Sequence, residues 1–186
     1  MSSINVNGTT VTTINANGTD VKQVMRVTND YPNGYSFWAK PVVVRLTINN
    51  SYAVTSPVIT VTCTQTPIYD RVSGITVSDG ATSYTVNTSL GTATPASSSN
   101  NTTNFNCYYG EVIKLTYSDY TSGSYKYSYG VSSGTTHTVT ESSAGYYDIT
   151  VTVTRTTVSC NAACSTSASS SCKTAICSRS IGEGSV

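Results

Sequence analysis

The most reactive side chains of this sequence are those of its six cysteines. Two lie in its middle and four lie near the C-terminus with the spacing Cys-x3-Cys-x7-Cys-x4-Cys: Cys63, Cys107, Cys160, Cys164, Cys172 and Cys177. Four thiolates could complete a tetrahedral zinc site, but the usual Cys-x2-Cys knuckle is missing. A Ser/Ala-rich tail with so few apolar residues is more typical of a segment held by disulfides. We therefore expect disulfides and no metal or other cofactor, with zinc-bound or free thiols as the alternatives.

The two central cysteines lie in strand-like surroundings. Cys63 ends a run of alternating Val and Thr, and Cys107 lies between Phe105 and two tyrosines. This makes the two residues the best candidates for a bridge between sheets. Connectivity among six cysteines does not follow from sequence, so their pairing stays open.

No set of side chains in the sequence converges on a catalytic reaction. His137 is the only histidine, and it alternates with Val139 in a predicted strand, without a cysteine or carboxylate at ligand spacing. Asp119, Glu141 and Asp148 lie in predicted turns or singly on strands, so no pair of general acid and base is visible. Nucleophilic and metal-assisted reactions need such convergent partners. We therefore expect a protein that is not an enzyme.

Tyrosines are concentrated in one predicted hairpin, where three follow the strand period: Tyr125, Tyr127 and Tyr129. Alternate residues of a strand point to the same face, so the three rings share one side of a sheet. On an exposed face they would form a surface for a glycan or a protein receptor, because tyrosine combines a flat apolar ring with a hydroxyl. On a buried face they would compensate for scarce leucine and phenylalanine. We expect burial for most of them.

Composition and charge exclude several classes of partner. Charged residues make up 10% of the chain, against about 25% in average proteins, and the formal net charge is +1. Because no cluster of Lys and Arg is present, nucleic acid is not an expected partner. The sequence shows no basic and apolar leader and no apolar run of membrane-spanning length. We therefore expect neither export by the usual secretory route nor a membrane partner.

The elements that would position these residues are strands, because Thr, Ser, Val, Tyr, Asn and Gly dominate the chain and predict an all-β fold. Ile4 to Gln23 is a ten-residue unit written twice, with the strong hairpin signal Asn-Gly at the same offset in each copy. A β-meander over residues 1–41 follows, with few large apolar residues: Ile4, Val6, Val11, Ile14, Val21 and Trp38. Such a small meander is marginal by itself, so we expect an attachment or oligomerisation module that needs a partner surface.

Residues 42–157 alternate between apolar and polar side chains over short segments, which predicts an immunoglobulin-like β-sandwich. Its predicted strands cover residues 42–48, 58–63, 74–77, 83–86, 105–109, 112–117, 125–129, 137–140 and 146–153. The polar stretch 91–104 predicts a flexible surface loop. Inward positions belong to Val44, Leu46, Ile59, Val61, Ile113, Leu115, Ile149, Val151 and Val153. Residues 158–186 form a Cys/Ser-rich irregular tail that lacks the apolar mass to fold alone.

Two patterns in the sequence resemble known families. The segments Cys107 to Thr116, Gly134 to Val139 and Gly145 to Val151 resemble bacterial immunoglobulin-like repeat domains, in which a Tyr-Gly-acidic strand opens the last part of the sandwich. The Asn-Gly-Thr repeats followed by Phe37-Trp38-Ala39-Lys40-Pro41 resemble the N-termini of small bacteriophage structural proteins of tails and head fibres. Neither family contributes a catalytic or ligand-binding residue to this chain.

The resemblance implies a non-enzymatic bacteriophage virion subunit, either a head fibre, a decoration protein or a tail-associated protein. Its N-terminus would attach to other virion proteins or to copies of itself, and its sandwich would project outward towards a host glycan or protein. Localisation in the virion, after synthesis in the host cytoplasm and release by lysis, would reconcile the missing leader with the six cysteines. A bacterial cell-surface adhesin or carbohydrate-binding module is the alternative.

Overall fold

The protein is all-β in the computed structural model, which describes residues 5–6, 9–11, 13–29, 35–68, 71 and 83–158. Its strands are β1 (Asn5–Val6), β2 (Thr9–Thr10), β3 (Ile14–Ala16), β4 (Thr19–Val21), β5 (Gln23–Arg26), β6 (Tyr35–Ala39), β7 (Pro41–Asn49), β8 (Ile59–Thr66), β9 (Tyr84–Ala93), β10 (Asn101–Tyr108), β11 (Val112–Thr116), β12 (Tyr120–Ser122), β13 (Tyr125–Tyr129), β14 (Thr136–Thr138) and β15 (Tyr146–Thr157).

The N-terminal strands form three two-stranded antiparallel sheets, β1 with β2, β3 with β4 and β5 with β6. In the second of these, Asn17 and Gly18 have φ angles of 50° and 78°. A two-residue type I′ turn needs positive φ at both positions, which Asn and Gly adopt at low cost. The hairpin predicted from Asn-Gly is therefore confirmed here, while the first copy of the turn lies outside the described residues.

Two larger sheets carry the rest of the described chain. The five-stranded sheet has the order β10-β7-β15-β13-β12, and the four-stranded sheet has the order β14-β11-β8-β9. All neighbours are antiparallel except β7 and β15, which pair in parallel from Tyr146 opposite Val43 to Thr152 opposite Asn49. The first and last strands of this region thus lie side by side in one sheet.

One hydrophobic core lies between these two sheets. Along β7 the burial alternates residue by residue, as a strand with one face on a core requires. All nine residues predicted to point inward are buried, none more than 5% exposed: Val44, Leu46, Ile59, Val61, Ile113, Leu115, Ile149, Val151 and Val153. The predicted register of these strands is therefore confirmed.

The prediction of a flexible surface loop over residues 91–104 is wrong. Strand β9 continues to Ala93, β10 already begins at Asn101, and an isolated bridge joins Ala96 to Ser99 in the short connection between them. The first half of β10 carries polar residues on both faces, but it still pairs with β7 from Asn101 opposite Ile48 onward. Backbone pairing and the hydroxyl contact of 2.9 Å between Thr47 and Thr102 compensate for missing apolar side chains.

The N-terminal region contributes one buried aromatic residue among those described. Trp38 is 4% exposed, and its β6 neighbours Ser36 and Ala39 are also buried. Trp38 is therefore buried, while the attachment role predicted for residues 1–41 stays a prediction. Ile4, the predicted strand 74–77 and the cysteines of the tail lie outside the described residues, and the domain limits 1–41, 42–157 and 158–186 stay predictions.

Candidate functional site

A tight hairpin places the tyrosines of the candidate site. Gly123 and Ser124 connect β12 to β13, and Gly123 has a φ of 56°, as the first central residue of a type II′ turn requires. The resulting register sets Tyr120 opposite Tyr127, and β15 sets Arg155 opposite Tyr127 on the other side. Directly opposed residues share a face of the sheet, so these three side chains form one row across three strands.

This row stands where the inner face of the five-stranded sheet emerges from the sandwich. Val151 and Val153 on β15 are 2% and 3% exposed, whereas Arg155, the next residue on the same face, is exposed. The pairing of β15 with β7 ends at Thr152, so Arg155 has a strand neighbour on one side only. The same alternation of side chains that buries Val151 and Val153 therefore places Arg155 on the same face of β15, but at the surface.

Five side chains gather at this end of the sheet, and we refer to them as the Tyr–Arg patch: Tyr52, Tyr120, Tyr125, Tyr127 and Arg155. The Arg155 guanidinium lies 4.3 Å from the ring centroid of Tyr125 and 4.8 Å from that of Tyr52. Tyr127 contacts the three other rings, with centroid distances of 5.8 Å to Tyr52, 6.2 Å to Tyr120 and 6.5 Å to Tyr125. These distances are in or near the range in which aromatic and cation–π contacts stabilise a structure.

The three tyrosines singled out in β13 differ in exposure along the strand. Tyr129 is 4% exposed and Tyr127 is 7% exposed, but Tyr125 is 40% exposed. The Tyr129 hydroxyl donates a hydrogen bond of 2.6 Å to the Pro57 carbonyl, and its ring meets Tyr117 edge-on at 5.0 Å. Burial raises the pKa of Tyr129 above its usual range. Most of these rings are buried, as expected, and Tyr125 alone of the three is available to a ligand.

Tyr52 reaches the patch from the loop between β7 and β8, which sequence reasoning did not connect with the site. Asn50 fixes this loop: its amide nitrogen donates to the carbonyls of Val54 and Ala96, both at 2.7 Å. Its amide oxygen accepts a hydrogen bond of 3.0 Å from the backbone N–H of Tyr52. Asn50 is 3% exposed, so these bonds satisfy a buried amide and hold Tyr52 in place.

The charge of Arg155 has no counterion in the part of the chain that the structure describes. All five carboxylates of that part, Asp20, Glu111, Asp119, Glu141 and Asp148, already form ion pairs with other cations. Arg45 offers the contrast, because it also lies over a tyrosine ring, 4.2 Å from the centroid of Tyr146, but it holds Asp148 through two hydrogen bonds of 2.5 and 2.7 Å. Among the described arginines, Arg155 is the one with free donors beside two tyrosine rings.

A second cluster joins the N-terminal hairpins to the sandwich. Lys40 lies 2.6 Å from Asp20 and 2.7 Å from Glu141, and Lys22 pairs with both carboxylates. Hydrogen bonds from the two lysines are the main cause that lowers the pKa of Glu141 to about 2. From the sequence alone, Glu141 is a single carboxylate in a turn or on a strand, and this cluster is missed because its members are far apart in the chain.

A third cluster is buried and includes the two central cysteines. Glu111 is fully buried, and it accepts hydrogen bonds from the Thr66 hydroxyl at 2.9 Å and from Arg71 at 3.2 Å. Cys63 on the four-stranded sheet and Cys107 on the five-stranded sheet are both buried free thiols in the structure, without the bridge suggested by the sequence. Burial is the main cause that raises the pKa of each thiol to about 12. A thiol held so far from ionisation is a weak nucleophile.

His137 lies on β14 at the edge of the four-stranded sheet, opposite Ile113. Its Nε2 atom is buried and has no hydrogen-bond partner among the described residues. Partial burial lowers its pKa. The structure therefore brings no nucleophile or carboxylate of its described part to this imidazole.

Three absences bear on the choice of site. No group of three or more His, Cys, Asp or Glu side chains in the described residues is arranged to hold a metal ion. Within the same residues, no helix is long and apolar enough to cross a membrane. Comparisons with known proteins find no matching family model, no similar curated protein and no similar solved structure. The site is therefore interpreted from its own geometry.

Proposed function

We propose that the protein is a non-enzymatic structural subunit of a bacteriophage virion, attached through its N-terminal hairpins and projecting its sandwich outward. The observation that carries this proposal is the contrast between the N-terminal hairpins and the sandwich that follows them. Residues 41–157 have a core of their own between two sheets, whereas the hairpins before them are two-stranded and leave Met25 and Val27 42% and 66% exposed. Two-stranded sheets with exposed apolar residues gain stability by docking on another surface.

The surface chemistry of the sandwich supports an outward position. On the five-stranded sheet, hydroxyls hydrogen-bond to each other across strands, as in the 2.9 Å contacts of Thr47 with Thr102 and of Ser128 with Thr154. Exposed threonines continue this face along β15, at Thr150 and Thr152. Side chains that satisfy each other without charge suit a surface that persists in changing ionic conditions, because salt does not screen them.

An immunoglobulin-like fold is part of the proposal. A five-stranded and a four-stranded sheet that share one core match the strand number of the larger immunoglobulin-like sandwiches. The pairing of the first sandwich strand, β7, with the edge strand β10 is a departure from the standard strand order. The proposal is therefore immunoglobulin-like architecture with a modified edge.

The Tyr–Arg patch favours the second candidate function, a bacterial surface adhesin or carbohydrate-binding module. Tyr120 and Tyr125 are 39% and 40% exposed, and exposed aromatic rings mark binding surfaces more often than ordinary surface. The same patch would serve host recognition on a virion. The two functions therefore differ in where the protein is found, which is the virion for the first and the bacterial surface for the second.

Mass spectrometry and immunogold labelling of purified particles test the virion proposal. We expect the protein to remain bound to the particles through repeated washing and to be present in a fixed stoichiometry to the capsid protein. The variant with Met25→Ser and Val27→Ser should be lost from particles, and Val58→Ser, which alters an exposed apolar residue of the sandwich, serves as the matched control. Recovery of the protein from the bacterial envelope and not from particles would overturn the proposal in favour of the adhesin.

A further inference from the structure

We infer that the Tyr–Arg patch binds an acidic sugar, with the sugar carboxylate on Arg155 and an apolar C–H face of the ring on the exposed tyrosines. This inference rests on the proposed function, because it assigns a ligand to the outward part of the sandwich. The recognised unit is a single acidic sugar of a glycan. The ligand chemistry follows from three features of the patch.

The first feature is an arginine that contacts two rings and is not neutralised. The Arg155 guanidinium lies over the rings of Tyr52 and Tyr125 at 4.8 and 4.3 Å, and it makes no hydrogen bond or ion pair within the described part of the chain. The nearest acidic residue in sequence to the patch, Asp119, is occupied by Lys126 at 2.6 Å. A guanidinium fork matches a carboxylate with two parallel hydrogen bonds, so the free donors of Arg155 fit that group.

The second feature is the exposed aromatic area around this charge. Tyr120 and Tyr125 are each about two-fifths exposed, and both rings contact the buried Tyr127 at centroid distances of 6.2 and 6.5 Å. Flat rings with hydroxyls at their edges present an apolar face and a polar rim together. A sugar has the same division between C–H faces and hydroxyl rim, so the surfaces are complementary.

The third feature is the absence of a wider positive field around the patch. The chain has a net charge of +1, and Lys126, the neighbour of Tyr125 and Tyr127 in β13, is paired with Asp119. One arginine cannot hold an extended polyanion by charge alone, because such binding adds up many contacts and weakens steeply with salt. Recognition of one acidic sugar should therefore depend only weakly on ionic strength.

Titration of the full-length protein with acidic oligosaccharides, followed by NMR, tests the inference. The probes are oligomers of galacturonate, of the uronates of alginate and of sialic acid, with the methyl ester of oligogalacturonate as a neutral match. We expect at least one acidic oligomer to shift the resonances of the patch and the ester to leave them unchanged. Arg155→Gln should weaken binding roughly tenfold or more, and Arg155→Lys less, because Lys keeps the charge without the fork. Tyr125→Ala should also weaken binding.

The matched control is Arg45→Gln, which changes an exposed arginine over a tyrosine ring that is already neutralised by Asp148. It should leave the affinity unchanged, and circular dichroism verifies that each variant keeps the fold. The inference is overturned if none of the acidic oligomers binds, if the ester binds equally well, or if Arg155→Gln binds like the parent protein. Equal binding of oligoglutamate would assign the patch to an acidic protein segment instead. These results leave the particle assay untouched, so either proposal can fail alone.

Discussion

The hydroxyl of Tyr129 shows how a single polar atom is accommodated in this core. It is buried among apolar side chains and donates its hydrogen to the carbonyl of Pro57 at 2.6 Å. Replacement by Phe keeps the ring and its edge-on contact with Tyr117, but it leaves the carbonyl without that donor. We expect Tyr129→Phe to lower the free energy of unfolding by about 1 kcal/mol. Urea denaturation measures this change. Tyr146→Phe, which removes the hydroxyl of an exposed ring, should lower the free energy of unfolding far less.

The cysteines lead to a prediction about chemical reactivity at the same scale. Cys63 and Cys107 are buried and their pKa values are raised to about 12, so both access and ionisation disfavour alkylation. We expect iodoacetamide at pH 8 to modify these two thiols only after unfolding, as located by mass spectrometry of peptides. Failure to modify them in denaturant without reductant would reveal the disulfide suggested by the sequence.

The same experiment covers the tail, whose four cysteines we predict to be oxidised. Their peptides should be resistant to alkylation until reductant is added. Four alkylatable thiols in Cys160, Cys164, Cys172 and Cys177 would refute the disulfides, and bound zinc would support the metal alternative instead.

At the scale of elements, strand β11 carries the clearest test of register. Leu115 is 1% exposed, while Lys114 points to the opposite face. Removal of a buried leucine side chain forfeits its burial and leaves a cavity, so Leu115→Ala should cost about 2–5 kcal/mol. Lys114→Ala, on the outer face of the same strand, should change stability by about 0.5 kcal/mol or less. Equal effects of the two substitutions would contradict the register.

Elements were predictable from the sequence where local chemistry decides them. Asn17-Gly18 specifies its turn by the φ angles it allows, and alternation around Leu115 specifies a strand with one buried face. The first half of strand β10 was not predictable, because its residues lack apolar alternation and owe their conformation to pairing with β7. The second half lies within the strand predicted over residues 105–109. The Tyr–Arg patch was only partly predictable for a related reason. Tyr125 lies in a visible cluster, but Tyr52 and Arg155 join it through tertiary contacts that leave no local signal.

At the scale of the whole molecule, the ion cluster determines how firmly the N-terminal hairpins are held on the sandwich. Asp20 and Lys22 belong to the N-terminal region, Lys40 connects β6 to β7, and Glu141 lies in the connection between β14 and β15. The backbone continues this contact, with the N–H of Tyr109 bonded to the carbonyl of Lys40 at 2.8 Å. Docking of the hairpins therefore depends on charge as well as on backbone pairing.

Acid should consequently release the hairpins before it unfolds the sandwich. The pKa of Glu141 falls from 4.5 to about 2 on folding, so its contribution is complete above about pH 4.5 and is lost as the pH falls towards 2. The amide protection factors of residues 20–26, which correct for the intrinsic pH dependence of hydrogen exchange, should fall several-fold over this interval, with little change in β7 and β8. Glu141→Gln should lower these protection factors already at pH 7 and show a smaller further fall in acid, because Gln does not titrate while Asp20, whose pKa the same lysines lower, still does. Asp119→Asn, which breaks an exposed pair with Lys126 elsewhere, should keep the parent profile, and an unchanged profile in Glu141→Gln would show that the hairpins are held without this cluster.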